Sequence, residues 1–286
     1  MIHMRDIPKV RMLAPDEPHM CYLSYSDIDQ AGRARAIHSH ANITEVELIC
    51  EGNGQHRIGD RYYFSKPGDI LIFNTNELHQ DMSQQEEPVR FYTCGICGLH
   101  WEGRALGQIA RTPEECHLKS GVYEPFLRHG LDTIEAGLEC SSPHVAAFAQ
   151  GFLQSMLAVL AELLDASGNQ TSSQIIHGSA LAKELRSYID QNYRQNFTLD
   201  ELAEHFHISR YYASHCFSEA FACSPMQYRT RRRIGEAQSM LTTSERSITY
   251  IASVIGYDDP NRFSQVFSKM VGMPPSEYRN LSVRLP

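Results

Sequence analysis

The chain contains 286 residues, of which 42% are hydrophobic and 21% charged, and its formal net charge is −8. This composition is typical of a globular protein of about two domains, and it excludes a disordered, collagen-like or coiled-coil chain. No apolar run approaches the roughly 20 residues of a membrane-spanning helix, and the N-terminus lacks a secretion signal. We therefore expect a cytoplasmic protein without membrane contact, in which the eight cysteines are reduced thiols.

Short β-strands are predicted throughout the first hundred residues. Apolar-rich strands are expected at Glu45–Cys50, Tyr62–Phe64, Ile70–Phe73 and Val89–Ile96. Turn signals separate them, such as Pro67-Gly68-Asp69. Many short strands joined by glycine- and proline-containing turns indicate a β-barrel or jelly roll.

Histidine and glutamate recur at fixed spacing in this region. The pattern Gly32-x5-His38-x-His40-x4-Glu45-x6-Gly52 resembles the first motif of the cupin superfamily, and His79 lies where the second cupin motif supplies its histidine. His38 and His40 are two residues apart on a strand, so they face the same side, where Glu45 and His79 can join them. Three imidazoles and a carboxylate can bind Fe, Mn, Ni or Zn, and they can equally hydrogen-bond an organic ligand.

A second motif, Cys94-Gly95-Ile96-Cys97 with His100, raises a zinc or redox hypothesis. Positions three apart on a strand face opposite sides, however, which favours ordinary small core side chains. The sequence does not assign a role to Cys94 or Cys97.

The pattern changes from strands to helices after about residue 143. His144–Asp165 carries apolar residues at helical spacing, and a small, polar stretch at 166–176 indicates a linker. We therefore predict a first domain at 1–165, a linker at 166–176 and an all-helical domain at 177–286. The helical domain has 13 Lys and Arg against 11 Asp and Glu, whereas the preceding 176 residues have 13 against 23.

The helical region contains an internal repeat. Leu202-Ala203 and His207-Ile208 match Ile251-Ala252 and Gly256-Tyr257 at an offset of 49. One inserted residue shifts the offset to 50, at which further residues match: Ser214 with Ser264, Phe217 with Phe267, Pro225 with Pro275, Tyr228 with Tyr278, and Arg229 with Arg279.

Each repeat is predicted to form a helix-turn-helix unit with a polar cap before each helix. The turns are expected at His207-Ile208 and at Gly256, where a positive φ angle suits glycine. The caps and helices are Thr198 before a short helix, Ser209 before Arg210–Phe221, Ser247 before Ile248–Val254, and Asp259 before a helix from Pro260 to about Val271, with Tyr228–Leu241 joining the units.

The segment from Thr198 to Arg284 resembles the DNA-binding domain of AraC/XylS-type transcriptional regulators. The second repeat carries the stronger match, including Ile251-Ala252, Gly256-Tyr257, Phe267-Ser268-Lys269 and Pro274-Pro275. The resemblance implies that two recognition helices enter successive major-groove segments of double-stranded DNA, about 34 Å apart. It also implies RNA polymerase as a partner and a homodimer formed through His144–Asp165.

The resemblance places the base-reading side chains on the outward faces of the two recognition helices. These are Arg210, Tyr211, Ser214, His215, Asn261, Arg262, Ser264 and Gln265. Lys269, Arg229 and Arg231-Arg232-Arg233 are expected either to contact phosphates or to brace the joining helix. Ser218-Glu219 stands where the family commonly has lysines, so we expect the first unit to bind DNA more weakly.

We therefore expect a multidomain α+β protein, with a cupin-like β-barrel or jelly roll and helices followed by two helix-turn-helix units. Its expected function is sequence-specific activation of transcription under a small-molecule effector, not enzymatic catalysis. The resemblance suggests a carbohydrate effector, bound without a metal cofactor at His38, His40, Glu45 and His79. Two alternatives stay open: a metal- or redox-sensing regulator that uses the same four residues, and a metal-dependent cupin enzyme.

Overall fold

The computed structural model describes residues 2–6, 17–28, 37–59, 61–83, 88–166, 173–175, 180–221 and 223–283. Gly32 of the cupin-like motif lies outside the described residues, as does most of the predicted linker at 166–176. The chain divides into two compact units, the first formed mainly by residues up to 174 and the second mainly by residues 175–279.

The first unit is built on two β-sheets. Its strands are β1 (Ile2–Asp6), β2 (His19–Ile28), β3 (Ile43–Glu51), β4 (Gly54–Ile58), β5 (Arg61–Ser65), β6 (Asp69–Phe73), β7 (His79–Ser83), β8 (Val89–Cys97), β9 (His117–Lys119), β10 (Ser173–Ile175) and β11 (Ser282–Val283). One sheet has the order β11-β1-β2-β8-β3-β6-β9 and the other the order β10-β5-β4-β7. The four predicted strands and the β-barrel or jelly-roll class are confirmed.

Strand β3 is an interior strand of the larger sheet, antiparallel to both β8 and β6. Every residue from Thr44 to Cys50 is buried, so both faces of the strand are covered. Its inward face carries Glu45 and Glu47, two polar residues that the hydrophobic pattern of a core strand does not predict. Since burial of an unpaired charge is costly, these carboxylates require polar partners inside the barrel.

Two helices, α1 (Glu124–Glu139) and α2 (Val145–Ala166), pack on the larger sheet, and 3-10 turns at Pro113–Cys116 and Gly121–Tyr123 precede them. Leu127 and Ile134 of α1 join Leu153 of α2 in the same hydrophobic core as the strands. Each such side chain contributes roughly 1.5–3 kcal/mol through removal of apolar area from water.

Helix α2 corrects one expectation from the sequence. Its 22 residues are long and apolar enough, by length and composition, to cross a membrane. The expectation that no segment approaches this length is therefore wrong. One such helix is weak support for a membrane span, because a core helix passes the same test, and Phe152, Leu153 and Met156 of α2 do lie in the core of the first unit.

The second unit is helical in its described residues. Its helices are α3 (Ala180–Asn192), α4 (Leu199–His205), α5 (Arg210–Phe221), α6 (Pro225–Thr243), α7 (Ile248–Val254), α8 (Pro260–Val271) and α9 (Pro275–Leu281). The predicted helix-turn-helix elements are confirmed. The joining helix α6 begins three residues earlier than predicted, because Ser224 and Gln227 form a capping box ahead of it.

Local hydrogen bonds fix where the helix-turn-helix elements begin and turn. Thr198 and Glu201 form a capping box at α4, in which the backbone N–H of Thr198 donates to the Glu201 carboxylate at 2.6 Å. The turns of the two units contain His207 at φ +55° and Gly256 at φ +90°. The predicted positive φ angle at Gly256 is therefore confirmed.

Candidate functional site

The two helix-turn-helix units present their second helices, α5 and α8, with the same pattern of burial. Ala213 and Phe217 of α5 are fully buried, and so are Phe263 and Phe267 at the positions fifty residues later. Residues four apart lie on one face of a helix, so the opposite face of each helix is left toward solvent. This exposed face is the one that a major groove can accept.

The structure places the predicted DNA-contacting residues on or beside these exposed faces. The exposed members are Arg210, Tyr211, His215, Asn261, Arg262, Gln265 and Lys269. Ser214 and Ser264 are half-buried at equivalent positions, one turn from the helix starts. Arginine side chains in such positions can donate to base edges, and amide side chains can both donate to them and accept from them.

Carboxylates lie close to the basic groups of the first helix-turn-helix unit. Nη1 of Arg210 is 3.8 Å from Oδ2 of Asp200, and Nδ1 of His215 is 3.9 Å from Oε2 of Glu219. These exposed contacts are weak, but they reduce the positive potential of the surface around α5.

Tyr212 belongs to the same surface and was missed by the sequence interpretation. Its side chain is 52% exposed, and it occupies the position in α5 that Arg262 occupies in α8. The 50-residue offset of the repeat is the signal that identifies it. An aromatic ring there can contact a thymine methyl group or stack against the DNA backbone.

The arginine cluster on α6 serves mainly to brace the second unit. Arg231 is exposed, whereas Arg233 is only 4% exposed. Arg233 donates from Nε to the carbonyl of Tyr193 at 2.6 Å, from Nη1 to that of Gly256 at 2.8 Å and from Nη2 to that of Gln195 at 2.9 Å. One guanidinium thus connects the segment after α3 with the turn of the second helix-turn-helix unit.

The neighbouring arginines support the same conclusion. The guanidinium of Arg232 lies 4.6 Å above the ring of Tyr193, and Arg229 donates to the carbonyl of Phe197. Burial, reinforced by the charge of Arg229, lowers the pKa of Arg233 to about 10. Bracing therefore accounts for Arg229, Arg232 and Arg233, and Arg231 and Lys269 remain the candidates for phosphate contact.

The four predicted polar residues of the cupin-like motifs come together in space. One ligand atom from each of His38, His40, Glu45 and His79 lies within 4.8 Å of the other three, and all four side chains are buried. Oε2 of Glu45 is 2.7 Å from Nε2 of His79, and Oε1 is 3.3 Å from Nε2 of His40. The predicted cluster is therefore present, but the expectation that His38 and His40 share a strand is wrong, because both precede β3, which begins at Ile43.

The protonation of this cluster is set by burial and by its own charges. Burial acts to raise the pKa of Glu45, but the charges and hydrogen bonds of His40 and His79 hold that pKa well below its ordinary value. Burial acts to lower the pKa of His79, and the Glu45 carboxylate reverses this and raises it. Glu45 is therefore ionised, and its charge favours the protonated form of His79.

Tyr22 is a fifth member that the sequence interpretation missed. Its hydroxyl donates to Oε1 of Glu45. The ring crosses Gly95 of the adjoining strand so closely that a Cβ atom at Gly95 would lie 2.1 Å from it. A glycine inside a strand is a signal of close approach, and Gly95 was the available sign of this contact.

The Cys94–Cys97 motif does not form a ligand cluster in the structure. Cys94 is buried in β8 and Cys97 is half-buried at its end, three positions away. Within the described ranges, the two clusters of His, Cys, Asp and Glu with metal-ligand spacing contain no cysteine.

An apolar groove runs along the surface between α1 and α2. It encloses about 700 Å³, and its lining includes Phe126, Phe148 and Phe152. Phe126 and Phe148 are each 45% exposed, which is unusual for phenylalanine. The predicted dimer helix thus carries an accessible apolar surface.

Two family profiles match the chain. The profile described as AraC-like ligand binding domain matches residues 17–182, and the profile described as helix-turn-helix domain matches residues 202–281. The first match covers strands β2 to β10 and the polar cluster. The second spans both helix-turn-helix units.

Similar proteins of known sequence cover most of the chain. The uncharacterised HTH-type transcriptional regulator YdiP of Escherichia coli K12 is 26% identical over 85% of this chain and 80% of its own length. The regulator YijO of the same strain is 32% identical over 83% and 79%. The arabinose operon regulatory protein of that strain is 25% identical over 82% and 79%.

Proposed function

Since the chain belongs to the AraC family of transcriptional regulators, we propose that it reads two adjoining segments of double-stranded DNA through α5 and α8. The observation that carries this proposal is the repeated exposure pattern of these two helices. In this proposal the chain acts in the cytoplasm as an activator, without enzymatic activity or membrane contact, and RNA polymerase is its protein partner at the promoter.

The proposed base contacts come from the outward residues of each helix. Arg262 donates to guanine, and Asn261 or Gln265 pairs with adenine in the second segment. Arg210, Tyr211, Ser214 and His215 read the first segment, and we add Tyr212 to that set. Ser264 lies at the edge of the second surface, and Lys269 contacts a phosphate.

Selection of bound duplexes from a random pool tests this proposal on the full chain. We expect two preferred blocks separated by one helical turn, about 10–10.5 base pairs between centres. A single block, or no preference between duplexes at moderate salt, would contradict the proposal.

The effector is proposed to bind at the buried cluster of His38, His40, Glu45 and His79, without a metal cofactor. Several hydrogen-bonding groups and the ring of Phe73, which stacks on His79 at 4.3 Å, suit a ligand with many hydroxyl groups. The regulator of an arabinose operon is one of the relatives, which supports a carbohydrate as the class.

A panel of mono- and disaccharides, titrated into the full chain by calorimetry, tests the effector proposal. We expect one sugar to bind and to change the affinity for the selected DNA, because a ligand that favours one state shifts the populations of both. Glu45→Gln should abolish that binding. Binding of a sugar that survives Glu45→Gln would place the effector elsewhere.

The chain is proposed to form a homodimer through His144–Asp165, using the groove between α1 and α2. Removing Phe126 and Phe148 from water would stabilise the pair through burial of two aromatic side chains. Phe148→Glu should therefore yield monomers in sedimentation. Gln154→Glu, at an exposed position of α2 outside the groove lining, is the charge control and should leave the dimer intact.

A metal-sensing regulator is the second candidate function, because His38, His40, Glu45 and His79 bring three imidazoles and one carboxylate together, a ligand set suited to Fe, Mn, Ni or Zn. Metal analysis of the purified chain separates it from the organic-effector proposal. DNA binding that responds to a chelator and to re-addition of one metal, but to no sugar, would favour this second candidate.

A further inference from the structure

A second buried polar cluster lies between the two sheets, separate from the proposed effector site. Glu47 of β3, His56 of β4 and Asp81 of β7 are 2%, 0% and 4% exposed. Glu47 belongs to the larger sheet, and the other two residues belong to the smaller sheet. Neither the sequence motif nor the proposed function uses any of them.

The ligand atoms of these three side chains converge. Nδ1 of His56 is 2.9 Å from Oδ1 of Asp81 and 3.8 Å from Oε2 of Glu47. One ligand atom from each residue lies within 4.8 Å of the other two. Ligands held about 2.0–2.2 Å from a metal ion lie roughly 3–3.6 Å from each other, so the cluster needs only small adjustments to close around an ion.

Residues outside the cluster orient two of these ligands. The Thr93 hydroxyl donates to Oε1 of Glu47 at 2.8 Å, which leaves Oε2 toward His56. Nδ1 of His56 donates a hydrogen bond to Oδ1 of Asp81 at 2.9 Å, and an ion would take the place of that proton. Nε2 of His56, 2.7 Å from Oγ of Ser65, can then donate its own N–H there, so that the lone pair of Nδ1 faces the ion. A hydrogen bond at the far nitrogen is the usual support for a metal-binding histidine.

Gly54 leaves room for the contact between His56 and Ser65. A Cβ atom at Gly54 would lie 2.5 Å from Nε2 of His56 and 2.9 Å from Oγ of Ser65, so a larger residue would break their contact. Ser65 itself is only 3% exposed, and a buried hydroxyl of this kind orients its neighbour rather than attacking a substrate.

We propose that Glu47, His56 and Asp81 bind one divalent transition-metal ion between the two sheets. One imidazole and two carboxylates suit Mn²⁺, Fe²⁺, Co²⁺ or Zn²⁺, and two ionised carboxylates match the charge of the ion. Glu45 and Glu47 are two residues apart on one strand, so the ion lies about 7 Å from the proposed effector site. The ion would join the sheets and stabilise the barrel that surrounds the effector.

Titration of the chelator-treated full chain with Zn²⁺ tests this site. We expect one ion per chain, and a higher melting temperature in its presence, because an ion that binds only the folded state stabilises that state. X-ray absorption of the bound zinc should show one imidazole among oxygen ligands. Three imidazoles would assign the ion to the cluster of His38, His40 and His79, and would overturn the proposal.

Variants locate the ion. Glu47→Gln and Asp81→Asn should each weaken Zn²⁺ binding more than about 100-fold, and Ser65→Ala about 10–100-fold. Asp69→Asn is the matched control, since Asp69 also contacts a buried histidine, His117 at 2.8 Å, outside this cluster. We expect it to retain the affinity of the unaltered chain.

The proposal would also be overturned by a lack of Zn²⁺ and Mn²⁺ binding in the unaltered chain, or by binding that survives both Glu47→Gln and Asp81→Asn. Ser65→Ala keeps the test decisive if the carboxylate variants fail to fold, because it removes only an orienting hydroxyl. Full Zn²⁺ affinity in that variant would also contradict the site. None of these outcomes bears on DNA binding, so this proposal fails separately from the proposed function.

Discussion

The two helix-turn-helix units share a backbone and a core but differ on the surface. Positions fifty residues apart are buried alike, as Phe217 and Phe267 show. On the exposed faces, Tyr212 stands where the second unit has Arg262, and Glu219 where it has Lys269. At these two positions α8 carries two positive charges, whereas α5 carries one negative charge and no positive one.

This comparison separates what a repeat must keep from what it can change. The buried positions determine whether each helix packs, so they tolerate little change in size or polarity. The exposed positions affect only the contact with DNA, and they can diverge until the units read different segments. We infer that the second helix-turn-helix unit supplies most of the electrostatic affinity for DNA, and that the first helix-turn-helix unit contributes mainly shape and apolar contact.

The largest expected effect is on stability, at the turn of the second helix-turn-helix unit. A Cβ atom at Gly256 would lie 2.0 Å from the carbonyl oxygen of Arg194, and the φ angle there is +90°. Gly256→Ala should therefore lower the free energy of unfolding of the second unit by about 3 kcal/mol, through strain and overpacking. Denaturant unfolding of the full chain, followed by helical circular dichroism, measures this change.

The matched control is His207→Gly, at the equivalent turn of the first unit. Relief of the positive φ angle and the greater entropy of the unfolded chain oppose each other, so the change should stay within about 1 kcal/mol. Equal effects at His207 and Gly256 would show that the two turns do not differ in the way the structure indicates.

The next effect concerns base reading. Arg262→Ala should weaken binding to the selected duplex by about 1–3 kcal/mol and relax the preference at one base position. Tyr212→Ala, its counterpart in α5, should cost less, because it removes no charged hydrogen bond. Competition binding with single-base variants of the duplex measures both. A larger loss for Tyr212→Ala would reverse the assignment of the dominant unit.

The smallest expected effect is on the salt dependence of DNA binding, which two variants at equivalent positions should change by similar amounts in opposite directions. Lys269→Ala should weaken all duplexes alike and reduce the slope of log affinity against log salt by about one. Glu219→Lys, at the equivalent position, should increase that slope by about one, since it adds the phosphate contact that the first unit lacks. Unchanged slopes in both variants would remove Lys269 and Glu219 from the DNA-facing surface.

Local signals explain why so much of the helical unit could be predicted. Caps such as Thr198 and Asp259, and the glycine at position 256, act within a few residues of the chain, so their effect is readable from the sequence. The arginine cluster could not be resolved in this way. Whether Arg233 meets phosphate or backbone depends on the carbonyls of Tyr193 and Gly256, which are distant in sequence.

The barrel shows the same division. The cluster predicted from the spacing of His38, His40 and Glu45 does form, but strand periodicity does not account for it, because His38 and His40 precede β3 and lie on no described strand. Tyr22 reaches Glu45 only because two strands place it over Gly95. The cluster of Glu47, His56 and Asp81 has no sequence motif, because its members come from three strands in two sheets.

The sequence by itself determined the element types, the duplicated helix-turn-helix units and the family, because periodicity, caps and repeats are properties of neighbouring residues. The tertiary structure decided which arginines brace α6, which aromatic hydroxyl meets Glu45 and where a second set of ligands converges. These contacts join residues tens of positions apart. Such contacts exist only once the sheets and helices have packed, since packing alone sets the distance between side chains on different elements.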